Sequence, residues 1–65
     1  MPHLLLLEDD PDILVGLQQH FQREGFGVAA CPTGGDALQL LRHVAAGKGT
    51  RPDAALLDLT LPDMD

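Results

Sequence analysis

The chain has 65 residues, a formal net charge of −6 and an isoelectric point near 4.6. A chain of this size buries only about 60% of the surface that its unfolded form exposes, so it holds at most one small domain. The acidic balance disfavours direct binding of these residues to nucleic acid, because phosphates carry the same sign of charge. The single cysteine, Cys31, excludes an internal disulfide and a two-cysteine metal site.

Apolar runs in the sequence are short, and the amino-terminal segment lacks the basic start and long apolar core of a signal peptide. The opening run, Leu4–Leu7, is far shorter than a membrane-spanning segment. We therefore expect a cytoplasmic protein with no membrane partner.

The first half of the chain predicts a strand followed by a helix. Leu4–Leu7 stops abruptly at three acids, which is typical of a strand buried on both faces of a parallel sheet. Asp10 and Pro11 are an N-cap and a first helical residue, so a helix is predicted roughly from Pro11 to Glu24. Gly25 follows where a left-handed residue ends many helices. The predicted apolar face of this helix consists of Ile13, Leu14, Leu17 and Phe21.

A second strand and a second helix follow. Phe26–Cys31 predicts a short strand. Thr33 and Asp36 have the spacing of a capping box, so Gly34–Gly35 is interpreted as a turn before the helix rather than as a phosphate-binding loop. The apolar face of the second helix is expected to contain Ala37, Leu38, Leu40, Leu41, Val44 and Ala45.

The last element is a third short strand. Turn-forming residues at 47–52 end the second helix, and Ala54–Leu57 then predicts another buried strand that ends at an acid, Asp58. Alternation of strands and helices in this order predicts an α/β sheet with parallel strands and helices on its faces.

Carboxylates follow two of the predicted strands. Glu8 and Asp9 end the first strand, and Asp58 ends the third. If these strands are parallel neighbours, the three acids meet at the carboxyl edge of the sheet, where such folds bind ligands. Their mutual repulsion calls for a cation, and an oxygen-only set without His or Cys favours Mg²⁺ over zinc.

Four segments carry a resemblance to a known family. They are LLLLEDDPDI at 4–13, GFGV at 25–28, GGDAL at 34–38 and DAALLDLTLPDMD at 53–65. In this order and spacing they resemble the first half of a response-regulator receiver domain of two-component signal transduction. The resemblance implies a flavodoxin-like α/β fold with parallel strands in the order 2-1-3. Residues 1–65 would then be the N-terminal part of a single receiver domain, truncated before strands 4 and 5.

The resemblance also implies roles for individual residues. Asp58 would accept a phosphoryl group from a sensor histidine kinase or phosphotransfer protein, in a phosphorelay that controls an output such as transcription. Asp9 and Asp58 would ligate Mg²⁺, with Glu8 acting directly or through a water and Thr60 contributing its backbone carbonyl. Asp10 is interpreted as the helix cap alone. Pro62 and Asp63 would shape the loop after the acceptor strand.

Two other functions stay open. A complete receiver carries a Ser or Thr after its fourth strand and a Lys after its fifth, and no residue of 1–65 is assigned to either role. We therefore expect these 65 residues alone to be phosphorylated poorly, and a non-phosphorylated, receiver-like interaction module is the main alternative. An aspartyl-nucleophile phosphatase of the haloacid-dehalogenase type is disfavoured, because that family has a second Asp where this chain has Thr60. We expect no enzymatic activity beyond self-phosphorylation.

The third strand is also expected to expose an edge. In the strand order of the receiver fold it is central, and residues 1–65 contain no strand to pair with its outer side. Unpaired N–H and C=O groups invite another strand, so we expect that these residues do not persist as a lone monomer. They would be part of a longer polypeptide, pair edge to edge with a second copy, or complete a sheet with a separate chain.

Overall fold

The computed structural model describes residues 1–57, which form a three-stranded parallel sheet and two helices. The strand order is β2-β1-β3, and β1 is parallel to both of its neighbours. This arrangement confirms the predicted α/β architecture and the 2-1-3 order of the receiver fold. The elements in chain order are β1 (His3–Leu7), α1 (Pro11–Arg23), β2 (Gly27–Cys31), α2 (Gly34–Ala45) and β3 (Ala54–Leu57).

The leucines of β1 are the centre of the core. Successive side chains of a strand point to opposite faces, and both faces of β1 are apolar. Leu4 and Leu6 pack with the buried Leu14 of α1, whereas Leu5 and Leu7 form a second cluster that includes residues of α2. The sheet is therefore a middle layer between two helices, as the uninterrupted leucine run predicted.

The apolar face of α1 is only partly as predicted. Leu14 is buried, and Leu17 and Phe21 pack against the same cluster. Ile13 was expected on this face but is 50% exposed. Ile13 and Leu56 line the same open groove next to β3, and the described residues leave Ile13 uncovered there.

Side chains cap the amino-terminal ends of both helices. The Asp10 carboxylate accepts the N–H groups of Asp12 and Ile13 at 2.9 and 3.2 Å. The Thr33 hydroxyl accepts the N–H of Asp36 at 3.0 Å and donates to the Asp36 carboxylate at 3.1 Å. Each cap satisfies N–H groups that have no partner inside the helix, and both caps were predicted.

Glycine ends both helices in a Schellman motif. Gly25 has φ of 94° and donates to the Gln22 carbonyl, while the N–H of Phe26 reaches the Phe21 carbonyl. The rings of Phe21 and Phe26 meet edge to face at 5.7 Å, which adds the apolar contact that often accompanies this motif. Gly47 has φ of 81° and ends α2 with the same pattern of hydrogen bonds.

One sequence-based expectation is corrected by the structure. Gly34 and Gly35 form the first turn of α2 rather than a turn before it, because Thr33 is itself the N-cap. The third strand was predicted as an apolar strand that loses part of its cover within residues 1–65, and all four residues of β3 are exposed among the described residues. Among the described elements, β3 contacts β1 alone and lies at the edge of the sheet.

An apolar cavity of about 720 Å³ separates α2 from β3. Leu38 and Leu41, which were expected to face the core from α2, line this cavity and are 50% and 42% exposed. Leu57 lines it from the side of β3. Both the outer edge of β3 and an adjoining apolar surface are therefore uncovered within residues 1–57, and self-association through this edge stays a prediction.

We expect the 65-residue chain to sediment as a species larger than a monomer at micromolar concentration. Replacing Leu56 by Lys should shift it toward monomer, because a charged side chain on an edge strand opposes pairing with another strand. Sedimentation velocity on both forms checks this expectation. A stable monomer that unfolds cooperatively would contradict it.

Two glycines should respond oppositely to replacement by alanine. Gly16 lies inside α1, and a methyl group added there would meet no neighbouring atom within 4 Å, so Gly16→Ala should stabilise the fold by about 0.5–1 kcal/mol. Gly25 has a left-handed backbone, so Gly25→Ala should destabilise it by about 1–2 kcal/mol. Urea unfolding of both variants measures the difference. Equal changes in the free energy of unfolding would contradict the left-handed backbone of Gly25 at the end of α1.

Candidate functional site

The register of the sheet brings the carboxyl ends of its strands level with each other. Leu7 is paired with Cys31 of β2 on one side and with Leu57 of β3 on the other. The next residue along β1 is Glu8, and the next residue of the chain after Leu57 is Asp58. Asp58 lies outside the described residues, as do Thr60, Pro62 and Asp63, so the roles predicted for them stay predictions.

Glu8 stands where the apolar strand meets solvent. It is half-buried, and its N–H donates to the Cys31 carbonyl at 3.2 Å, which continues the β1–β2 hydrogen bonding by one step. Its carboxylate accepts the N–H of Asp10 at 3.1 Å. The backbone and side chain of Glu8 are thus both held at the carboxyl edge of the sheet.

Asp9 and Asp10 are adjacent acids in different situations. The Asp10 carboxylate is occupied by two helix N–H groups. Asp9 is exposed, and within residues 1–57 no hydrogen bond to its carboxylate is found. Asp10 is therefore confirmed as the helix cap, and the role of Asp9 as a Mg²⁺ ligand stays a prediction.

The donor atoms at this edge fit a hard divalent cation. Glu8 and Asp9 offer only carboxylate oxygens, a donor set typical of Mg²⁺, whereas zinc sites normally include His or Cys. Residues 1–57 contain no group of three His, Cys, Asp or Glu side chains that could hold a metal ion. The described part of the chain thus supplies a share of the predicted ligands, and Asp58 and Thr60 would have to supply the others.

Cys31 lies below this edge and belongs to the core. It is buried against Leu5, Leu7 and Ala37. Burial raises the pKa of the Cys31 thiol, and the negative charge of Asp36 raises it further. A thiol held protonated in this way is a small apolar core residue, as predicted, and is poorly suited to act as a nucleophile or metal ligand.

One pairing at the amino-terminal ends of β1 and β3 was not predicted. The N–H of His3 donates to the Asp53 carboxylate at 2.7 Å, and the N–H of Asp53 donates to the His3 carbonyl at 2.7 Å. The two residues are 50 positions apart in the chain. The only local signal was the Pro52-Asp53 pair before the strand, which does not identify a partner.

Comparison with known proteins agrees with this geometry. The protein-family model described as "Response regulator receiver domain" matches residues 4–65. The chain belongs to the response regulator receiver domain family. This identification confirms the resemblance that the acid-terminated strands and the motifs between them indicated.

Similar proteins carry names of transcriptional regulators. The receiver chain is 43% identical over its whole length to the transcriptional regulatory protein AfsQ1 of Streptomyces coelicolor, of which it covers 26%. It is 44% identical over 98% of its length to the transcriptional activator protein PfeR of Pseudomonas aeruginosa, covering 19% of that protein. With PrrA of Mycobacterium tuberculosis it shares 34% identity over 98% of its length and covers 25% of that protein.

The receiver chain thus spans a quarter or less of the length of two of these relatives, and slightly more than a quarter of AfsQ1. No solved structure matches it with significance. Among the described residues, neither helix is long and apolar enough to cross a membrane.

Replacing Asp9 and Asp10 by asparagine, one at a time, should distinguish the roles of these two adjacent acids. We expect Asp9→Asn to weaken Mg²⁺ or Mn²⁺ binding by roughly tenfold or more. Changing a residue that only hydrogen-bonds to a metal ligand already costs about that much affinity, and a direct ligand should cost at least as much. Asp10→Asn is the matched control, because asparagine caps a helix about as well as aspartate. Isothermal titration of the full-length protein with each metal measures both. Equal losses from the two changes would mean that the acids have been assigned to the wrong positions.

Proposed function

We propose that this receiver domain accepts a phosphoryl group on Asp58 from the phosphohistidine of a sensor histidine kinase or phosphotransfer protein. The reaction would require Mg²⁺, with Glu8, Asp9, Asp58 and the backbone carbonyl of Thr60 as its ligands. The phosphorylated state would control a downstream output such as transcription. The chain is a response-regulator receiver by its family.

The observation that carries the proposal is the register of β1 with β3. Leu7 is paired with Leu57, so the described ends of β1 and β3, which precede Glu8 and Asp58 in the sequence, lie at the same level of the sheet. Parallel strands present their carboxyl ends at one edge, which is the usual ligand site of such sheets. An acceptor carboxylate and a cation-binding pair at one edge are what phosphoryl transfer to aspartate requires.

The chemistry assigned to Asp58 is a displacement at phosphorus. A carboxylate oxygen of Asp58 would attack the phosphoryl group, forming an acyl phosphate as the phosphorus–nitrogen bond to the donor histidine breaks. The electron pair of that bond returns to the imidazole nitrogen. Mg²⁺, when bound, would offset the negative charges of the nucleophile and the phosphoryl oxygens.

Hydrogen bonds hold the carboxylates of Glu8 and Asp10, which follow β1, in place. The hydrogen bond from the Asp10 N–H orients the Glu8 carboxylate, and Asp10 in turn occupies two N–H groups at the start of α1. Those two N–H groups are therefore not offered to the incoming phosphate.

We expect Asp58 to be the one phosphorylated residue. The full-length protein should be labelled by acetyl phosphate or phosphoramidate in the presence of Mg²⁺, and Asp58→Asn should stay unlabelled. Asp12→Asn is the matched control, since Asp12 is an exposed acid in the first turn of α1 and should leave labelling unchanged. Intact-mass spectrometry, which records the mass added by a phosphoryl group, is the measurement.

Two results would contradict the proposal. Labelling that persists in Asp58→Asn would mean that another residue is the acceptor. A wild-type protein that stays unlabelled with Mg²⁺ and either donor would favour the non-phosphorylated interaction module.

A further inference from the structure

We propose that the outer edge of β2 pairs antiparallel with the same edge of a second copy of this chain, so that the two α2 helices lie side by side across a two-fold axis. This surface is on the side of the sheet away from β3. The inference goes beyond the proposed function and does not rest on phosphorylation of Asp58.

The outer side of β2 remains an edge in the complete receiver fold. In its strand order, 2-1-3-4-5, the later strands add beyond β3 and leave β2 outermost on the other side. Edge strands are commonly protected by charged residues, proline or a bulge. β2 contains neither a charged residue nor a proline, and its register with β1 is uninterrupted. The edge of β2 is therefore suited to accept another strand.

β2 bonds to β1 through alternate residues. The N–H of Gly27 donates to the Pro2 carbonyl at 2.8 Å, and the N–H of Glu8 donates to the Cys31 carbonyl at 3.2 Å. Backbone groups of successive residues in a strand point to opposite edges. Within residues 1–57 no hydrogen bond is found to the backbone groups that point outward, which are those of Val28 and Ala30.

These outward groups form a symmetric antiparallel pair when a two-fold axis passes beside Ala29. Val28 then lies opposite Ala30 of the second copy on each side of the axis, and the two pairs exchange four N–H···O=C bonds. Ala29 lies opposite its own copy at a position without hydrogen bonds, where Cα atoms approach to about 4.5 Å. The small side chain of alanine fits this close approach.

The same axis brings the two α2 helices to packing distance. α2 contacts both β1 and β2, and Leu40 and Ala29 pack against the same core cluster. Because strands are spaced about 4.8 Å apart, a helix centred between β1 and β2 lies about 5 Å from the axis and about 10 Å from its copy. Packed helices are about 8–10 Å apart. Strand pairing and helix packing are thus satisfied by one arrangement.

The side of α2 that faces this edge is complementary to itself. Asp36, Gln39, Leu40 and His43 line an open groove between α2 and β2. An antiparallel copy centred between Gln39 and Leu40 places Asp36 opposite the second copy's His43, and His43 opposite the second copy's Asp36. An imidazole N–H donates readily to a carboxylate. This complementarity of an acid and a base within one surface favours a second copy as the occupant.

α1 offers an uncharged surface to the same pairing on the other face of the sheet. Ile13 lines the groove beside β3, and Val15 lies about 200° further around the helix, on the side toward the edge of β2. Val15 is 51% exposed. The second copy would therefore cover an exposed valine and meet no like charge, because the other residues on that side of α1 are Pro11, Gln18 and Gln22.

The contact is small, so we expect weak association. We estimate that two short strands and two pairs of helix faces bury no more than about 1,200 Å², the lower bound of stable interfaces. The pairing should therefore be half-formed at a concentration on the order of 100 µM and sparse at a few micromolar.

Crosslinking of the full-length protein detects this pairing directly. Gln39→Cys places a thiol beside the axis, where it approaches its copy. Lys48→Cys is the matched control, because Lys48 is exposed in the turn after α2 and the two copies of this turn lie at opposite ends of the pair. With a short bismaleimide at on the order of 100 µM protein, Gln39→Cys should give a covalent dimer at least roughly tenfold faster than Lys48→Cys.

A charge change tests the contact between the helices. His43→Glu places like charges opposite Asp36 of the second copy, so it should slow crosslinking in the Gln39→Cys background by roughly tenfold or more. Arg42→Glu is the matched control. Arg42 is also a basic residue in the last turn of α2 but does not line the groove, so this variant should keep the parent rate.

A second change tests the contact between the strands. Ala30→Pro removes an N–H that points outward from an edge strand, a position that tolerates proline. Two of the four bonds across the axis are lost, so crosslinking in the Gln39→Cys background should again slow by roughly tenfold or more. Ala30→Ser keeps the N–H and should keep the parent rate.

The outcomes decide both the occupant and the arrangement. Equal crosslinking of Gln39→Cys and Lys48→Cys, or none of either, would overturn a second copy as the occupant of this edge. Equal rates in His43→Glu and Arg42→Glu, or in Ala30→Pro and Ala30→Ser, would overturn the antiparallel arrangement. If Ala30→Pro does not fold, the variants of His43 and Arg42 decide, because both keep the backbone of β2.

Discussion

The central strand β1 is hydrogen-bonded to a neighbour on each edge and covered by a helix on each face. Its four leucines are the most completely buried run of the described chain, and Leu6 has no exposed surface. Full burial of one such side chain contributes about 1.5–3 kcal/mol. An ordinary domain is stable by only about 5–15 kcal/mol, so this strand accounts for much of what holds the fold together. It also sets the level of both neighbouring strands.

The functional edge follows from the abrupt end of that strand. Four buried apolar residues are followed by three acids, so the chain passes from the dry core to solvent within one residue. Glu8 is still held by the sheet, Asp9 is exposed and Asp10 begins α1. One short segment thereby provides a core strand, two of the proposed Mg²⁺ ligands and a helix cap, and these fall on different residues because their backbone positions differ.

Local signals in the sequence predicted most of the fold. Asp10, Thr33, Gly25 and the turn at 47–52 mark helix ends through interactions within a few residues, and each was predicted. The strand order came from the resemblance to receivers, since parallel strands alone do not determine it. The acids at the ends of β1 and β3 were also found from the sequence, because each interrupts an apolar run.

The errors concern contacts between distant parts of the chain. Apolar periodicity shows that Ile13 belongs on an apolar face, but it does not show whether a neighbour covers that face, and Ile13 is half-exposed. The bond between His3 and Asp53 spans 50 positions and joins a side chain to a backbone N–H. Such a bond has no periodicity and no characteristic spacing, so only the folded structure reveals it.

The central claim is that Glu8, Asp9 and Asp58 form one cation-supported acceptor site at the carboxyl edge of the sheet. Paramagnetic broadening of amide resonances by substoichiometric Mn²⁺, recorded on the full-length protein, tests it most directly. We predict that the amides of Glu8, Asp9 and Asp58 broaden first, while those of His3 and Gly27 at the opposite edge stay sharp. Broadening that includes Glu8 and Asp9 but spares Asp58, or that is centred elsewhere, would contradict this claim.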